Sequence, residues 1–344
     1  MINASPKTVA TPAQIAGLYG VNASATIEAI KQRYLNRKAG RNEPDGRKLA
    51  LVFDGGAMRA VGPAGGAVAL AHLGLTDIFD EVYATSAGVM NASYFLSGQG
   101  DMGITIYFDD LTTGRFINPF RFWKIVDVDY LINEVVRVTK PLDVQRVLRS
   151  PTRFYATVMD KTTGEASLID AKQSPTPLLT IIKAALAIPM LYNRTVEIEG
   201  KSGMDGGLRI PFPLQEAIDN GCTDILLLLA RSNEYVCAQP SSLACLFFDL
   251  LFARGHRGVS RAYALHHVHS RAVRDLALGR SASTPPNVNI AAICTEQSEA
   301  IHRITVNRAA LRAAAVSYGR RTLRAFGADA TEWDLGPASK IKWD

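Results

Sequence analysis

Cysteine is scarce in this chain. Cys222, Cys237, Cys245 and Cys294 all fall in the second half, and no two form a CxxC pair. That sparseness excludes a disulfide scaffold and a zinc ribbon, and leaves reduced, mostly buried thiols. Long apolar runs are also lacking. The longest aliphatic stretch, Ile225–Ala230, is far too short to span a bilayer. Met1 to Ala10 has no charged stretch followed by an apolar core, the pattern of a secretory signal. No internal repeat and no low-complexity linker is present. The expectation is a soluble, intracellular, cytoplasmic protein.

Neither sign of charge dominates. Lys and Arg number 38 against 32 Asp and Glu, a net +6. That density is below a dedicated nucleic-acid binder, so no nucleic-acid partner is expected. The small basic surplus still suits an anionic lipid surface met peripherally. Hydrophobic residues at 47% and charged residues at 20% exclude a disordered chain and a collagen-like repeat. With 344 residues, the chain is long enough for a large core and for one large domain or two smaller ones.

Residues 1–47 read as an N-terminal helical extension. Thr11-Pro12-Ala13-Gln14 has the form of a helix start, and Ile27, Ile30, Tyr34 and Leu35 recur at helical spacing. Lys31, Arg33, Arg37, Lys38 and Arg41 decorate that helix as a solvated basic face or a membrane-binding one. The main domain, 48–330, opens on the apolar run Leu49–Phe53, a buried strand feeding the glycine loop Asp54-Gly55-Gly56. A helix over Ala64–Leu73, a strand at Val82–Ala84 and a helix over Ala87–Leu96 follow, which is the alternation of an α/β fold. Phe116, Phe120, Phe122 and Trp123 cluster ahead of a helix at Asp129–Val138. Phe154–Met159 and Ala166–Asp170 read as a hairpin, Leu178–Ala187 and Leu214–Asn220 as helices, and Ile225–Ala230 as a central strand. Helices at Ser241–Ala253 and Val259–Leu278, a strand at Val288–Ile293 and a helix over Arg308–Phe326 form the C-terminal portion, and 331–344 is a tail.

Three segments carry chemistry. In Ala84-Thr85-Ser86-Ala87-Gly88, a serine stands between a strand and a helix, where a sharp turn lifts its hydroxyl above the sheet edge. The following helix points N–H groups back at that site. In Asp54-Gly55-Gly56-Ala57-Met58-Arg59, glycines expose amides that can hold a phosphate or an oxyanion, or simply make a tight turn. Neither the Rossmann glycine spacing nor a closing Gly-Lys-Ser/Thr is present, so nucleotide binding is disfavoured. Asp205-Gly206-Gly207 reads as a loop after Val196–Ile198, and taken alone as a turn. It matters because a serine nucleophile needs a base. His72, His256, His266, His267, His269 and His302 include none that the sequence marks for a triad or a zinc site.

Together and in order, these segments resemble the patatin-like phospholipase family, whose pattern is Asp-Gly-Gly-Gly-x-Arg/Lys-Gly, then Gly-x-Ser-x-Gly, then Asp-Gly-Gly/Ala. Asn91-Ala92-Ser93-Tyr94, Ser97-Gly98-Gln99, Ala184–Pro189 and Pro213–Ile218 are similar to its bacterial branch. The resemblance runs from Lys48 to Leu229 and implies a three-layer α/β/α fold with a mostly parallel sheet. It implies a Ser-Asp dyad with Ser86 as nucleophile and Asp205 as base. It implies an oxyanion hole of the Gly55, Gly56 and Ala57 amides, with Arg59 bracing the loop or facing an anionic head group. The implied reaction is hydrolysis of an acyl ester, a lipid or phospholipid, through an acyl-serine, with no metal or organic cofactor. The alternatives are an acyltransferase or thioesterase acting on a carrier-bound acyl group, and an inactive lipid-binding relative. The motifs do not encode acyl chain length, head group or oligomeric state. Ala57, Ala60 and Ala84 each stand where the pattern has glycine, and an alanine held at positive φ is strained.

Overall fold

The computed structural model describes residues 17–41, 43–121, 124–192, 194–299 and 301–336. The expected helix start at Thr11–Gln14, two of the four clustered aromatics (Phe122 and Trp123) and the tail from 337 lie outside them. The strands are β1 (Leu18–Tyr19), β2 (Leu49–Phe53), β3 (Glu81–Thr85), β4 (Arg153–Asp160), β5 (Ala166–Asp170), β6 (Val196–Ile198), β7 (Lys201–Asp205), β8 (Asp224–Leu229) and β9 (Asn289–Cys294). The longer helices are α1 (Ala23–Lys38), α2 (Val61–His72), α3 (Ala87–Leu96), α4 (Gly100–Asp109), α5 (Leu178–Ala185), α6 (Ser242–Phe248), α7 (Arg257–Ala277) and α8 (Arg308–Ala325).

All nine strands join one sheet in the order β1-β9-β8-β2-β3-β4-β7-β6, with β5 on β4. The five central strands β9, β8, β2, β3 and β4 run parallel, and the margins are antiparallel. This is the expected mostly parallel sheet with flanking helices. Alternate side chains of the apolar strands serve two cores, as period two requires. Leu49, Leu51, Phe53, Leu226 and Leu228 pack with α2, α3 and α8 on one face. Ala50, Val52, Ile225, Leu227 and Leu229 pack with Leu214, Leu276 and Ala277 on the other.

The N-terminal segment is tied to this sheet: β1 pairs antiparallel with β9. The face of α1 is not uniformly basic to solvent. Arg33 turns inward, 8% exposed, and pairs with Asp45 and Asp80. The expected helix over 129–138 becomes a short α-turn, Val128–Tyr130, followed by a π-helix, Leu131–Thr139. The expected helix over 241–253 likewise passes from α6 into a π-turn, Asp249–Ala253.

Register explains how distant segments meet. Thr85, the last residue of β3, pairs with Thr157 of β4. Asp205, the last residue of β7, pairs with Val158, the next residue along the same strand. β5 takes the opposite edge of β4 over these positions, so β3 and β7 share one edge and end side by side. Asp205 therefore closes a strand and does not sit on the loop that the sequence predicts after Val196–Ile198.

Candidate active site

Ser86 follows β3 directly and caps α3, with φ of 56° and ψ of −133°. A non-glycine residue in that region is strained, and the surrounding packing holds it there. The strain is what turns the chain sharply enough to aim Oγ over the strand ends. Ser86 is 5% exposed.

Asp205 is equally buried, and burial pushes its carboxyl up to about 6. The Ser86 hydroxyl, the Gly207 amide and the charge of Arg303 act in the opposite direction. The Gly207 N–H donates to Asp205 Oδ1 at 2.8 Å. With one oxygen held by the backbone and the Ser86 hydroxyl near enough to lower the same carboxyl's pKa, the carboxylate is oriented by β7 and the turn after it. Beneath it, Thr85 Oγ1 donates to Thr157 Oγ1 at 2.9 Å and locks the two strand ends together. A Cβ on Gly206 would lie 2.5 Å from Thr157 Cγ2, so this close approach requires glycine there.

The glycine loop runs past the serine from the other side. Asp54 Oδ2 accepts from the Ala230 N–H at 2.9 Å, and the Met58 N–H donates to the Arg303 carbonyl at 3.3 Å. The amides of Gly55, Gly56 and Ala57 give no hydrogen bond to any acceptor among the described residues. Gly56 has φ of 128° and Ala57 has φ of 54°. Of the three alanines that replace glycine, only Ala57 is strained. Ala60 is helical, with φ of −67°, and Ala84 is a buried residue of β3 with no positive φ.

One cleft of about 1010 Å³, its open mouth included, is lined by Gly55, Gly56, Ala57, Arg59, Ser86 and Asp205. The structure thus brings every site residue read from the sequence into one place. Its other walls were not legible as a site: Arg231 and Tyr235 after β8, Phe248 of α6, Tyr263, His266 and Arg274 of α7, and Arg303. Their signal is weak because each comes from a segment without a motif. Among the described histidines, His266 alone lines the cleft; its Nδ1 lies 3.2 Å from the Leu208 carbonyl, and burial lowers its pKa. A second, narrow pocket of about 30 Å³ shares Ala57, Ile188 and Arg303 with the cleft. Met58, Met90, Leu111, Phe116 and Leu186 make it apolar.

Residues 51–218 match the patatin-like phospholipase family. The chain carries a patatin-like phospholipase domain. The α/β architecture agrees with that match. Uncharacterized protein YjjU of Escherichia coli (strain K12) is 28% identical over 188 residues, which are 53% of this chain and 51% of that protein. The chain thus spans about half the length of this curated relative. No helix among the described residues is long and apolar enough to cross a membrane.

Proposed function

We propose that this patatin-like domain is a serine acyl hydrolase working through a Ser86–Asp205 dyad. The observation that carries the reading is the placement of Ser86 and the buried Asp205 carboxylate in one cleft, near enough for the hydroxyl to lower the carboxyl's pKa, beside amides with no acceptor among the described residues. Asp205 takes the proton as Ser86 Oγ attacks the ester carbonyl. The amides of Gly55, Gly56 and Ala57 receive the negative charge that develops on the carbonyl oxygen. Asp205 then gives the proton to the departing alkoxide, and an acyl-serine remains. A water molecule attacks next, and its proton passes through Asp205 back to Ser86 as the carboxylic acid leaves. The apolar side chains beside Ala57 suit the start of an acyl chain, which favours a lipid ester over a small polar one. The substrate meets the cleft at an anionic, apolar surface, by peripheral contact.

Water is the acceptor in this reading. A carrier-bound acyl group transferred to another acceptor uses the same acyl-serine and differs only in what enters the cleft second. Labelling tests both against an inactive lipid binder. A fluorophosphonate probe should add its mass to the wild-type protein at Ser86 and leave Ser86→Ala unmodified. Absence of labelling at Ser86 in protein that binds lipid would favour the silent binder. Acyl-enzyme that persists in water, but discharges to an added alcohol or thiol, would favour transfer.

A further inference from the structure

Three arginines are buried among the described residues: Arg33, Arg274 and Arg321. Arg33 is paired with Asp45 and Asp80, and Arg321 with Glu296 and Glu299. Both have their pKa raised despite burial, because the carboxylates hold the charge in place. Arg274, which lines the cleft, has no ion pair among the described residues. One of its nitrogens, Nη2, donates to the Ser232 carbonyl at 2.5 Å, and its Nε is buried without a partner.

Two partly buried neighbours also lack an ion pair among the described residues. Arg59 Nε is buried without a partner, and no ion pair holds its guanidinium among the described residues. Arg231 lies 4.0 Å over the ring of Tyr235, with Arg274 at 5.4 Å from the same ring. Burial first, then the charges of Arg231 and Arg303, push Arg59 down to about 9. Arg231 is lowered by burial, against the opposing pull of Asp54, with Arg303 and Arg274 adding to the fall. Asp54 is the one carboxylate that faces the trio, and it is already engaged by the Ala230 N–H. Three cations drawn out of water against one carboxylate are undercompensated, so such a cluster persists where a further anion completes it.

The cluster adjoins the proposed chemistry. A Cβ on Gly55 would touch Ser86, and one on Gly56 would lie 3.3 Å from Arg59 Nε and 3.6 Å from Ala230 Cβ, the residue before Arg231. We propose that Arg59, Arg231 and Arg274 form a phosphate-binding subsite, which holds a phosphate group carried by the ester substrate beside the carbonyl that Ser86 attacks. This rests on the acyl-hydrolase reading for the ester. The three guanidiniums come from three segments, the loop after β2, the turn after β8 and α7. A carboxylate satisfies one planar fork, whereas a phosphate monoester offers three oxygens in different directions. Arg231 and Arg274 lie beyond residue 218, where the family match ends. Two of the three arginines of the subsite therefore come from this chain's C-terminal portion, and Arg59 comes from the matched glycine loop.

Two matched esters and one binding measurement test it. The esters are a 1-acylglycerol 3-phosphate and the same 1-acylglycerol without phosphate. Wild-type protein should favour the phosphate-bearing ester in kcat/KM by about tenfold or more, through KM. Arg231→Gln should erase most of that ratio, and Arg231→Lys should restore part of it. Equal loss on both esters in Arg231→Gln, or no preference in the wild type, would overturn the proposal. Inorganic phosphate titrated into Ser86→Ala reads the site without turnover and should bind more weakly once Arg231→Gln is added. Such binding with no hydrolysis of either ester by the wild type would remove the hydrolase reading and keep the anion site. Free phosphate binding with equal hydrolysis of both esters would assign the site to a free anion and overturn its role in substrate choice.

Discussion

Gly55 and Ser86 are packed so closely that a Cβ on Gly55 would stand 2.5 Å from Ser86 Cβ and 2.8 Å from the Thr85 carbonyl oxygen. Side chains cannot approach that far, so the loop and the serine turn fit together only with glycine at position 55. Gly55→Ala should push the loop away from Ser86 and misplace the amides meant for the oxyanion. A lost oxyanion donor costs about 10²–10³ in rate, and the loss should appear in kcat. Overpacking should also lower stability by about 1–3 kcal/mol. Ester turnover and urea unfolding of purified Gly55→Ala measure both effects. Wild-type turnover in that variant would separate the loop from the chemistry.

Asp205 links rate and stability in opposite directions. As a base it must be ionised, and its carboxyl titrates near about 6. Activity should therefore rise with pH through that value and level off above it. Asp205→Asn should lower the rate by about 10²–10⁴ and abolish that limb of the profile. Its folded pKa lies above the ordinary value of 3.8, so folding favours the protonated form. That contribution is present in full below pH 3.8 and is lost as pH rises through about 6. Asp205→Asn keeps a neutral group there and should be more stable than wild type at pH 8 by about 3 kcal/mol. Unfolding at pH 4 and pH 8 measures the difference. His266→Gln as inactive as Ser86→Ala would turn the dyad into a triad.

Ala57 holds φ of 54°, a conformation that costs a residue with a Cβ about 1–2 kcal/mol. Ala57→Gly removes the strain but adds unfolded-state entropy, about 0.5–1 kcal/mol. The variant should be slightly more stable, with activity at least that of wild type, because glycine adopts the same backbone conformation without strain. Ala57→Val should lose activity, since a β-branched side chain is a genuine outlier at positive φ. A large gain on Ala57→Gly would mean that the alanine has weakened the enzyme.

The part of this site legible in the sequence is the part made by backbone. Strand–glycine loop–helix and strand–serine–helix leave local marks, because small residues and sharp turns are local requirements. Ala87–Leu96 is a helix at the residues read from its apolar run. Asp205 was placed correctly in the order of motifs but not in structure, because β7 has only five residues and begins with Lys201-Ser202-Gly203. Arg231, Arg274 and Arg303 were illegible. An arginine on an Arg-rich helix looks solvated, and only the packing of α7 turns Arg274 inward. The inward turn of Arg33 was hidden for the same reason, since its partners Asp45 and Asp80 come from other segments.

The surface where substrate arrives shifts accordingly. Arg33 is unavailable to a membrane, and of the expected aromatics Phe116 is buried while Phe120 is exposed. A stronger apolar patch lies elsewhere. Leu243, Leu246, Phe247, Leu250 and Leu251, on α6 and the π-turn after it, are each more than half exposed. Between them Phe248 turns inward, stacks on Tyr263 with ring centroids 4.0 Å apart, and lines the cleft. The patch therefore borders the mouth through which substrate enters. Arg254, Arg257 and Arg261 follow on the same stretch and are exposed. Apolar side chains beside basic ones match an anionic lipid surface, where each basic residue contributes about 1 kcal/mol within a Debye length. The protein should co-sediment with phosphatidylglycerol vesicles at low salt, bind phosphatidylcholine vesicles less, and be released as salt rises. Leu246→Asp combined with Phe247→Asp should weaken sedimentation and slow hydrolysis of vesicle lipid more than that of a short p-nitrophenyl ester. Charge reversal at Lys38 and Arg41, on the far side of the chain order, should matter less. If no vesicle binds at low ionic strength, the exposed helix has another occupant, and a soluble ester or carrier-bound acyl group becomes the better substrate.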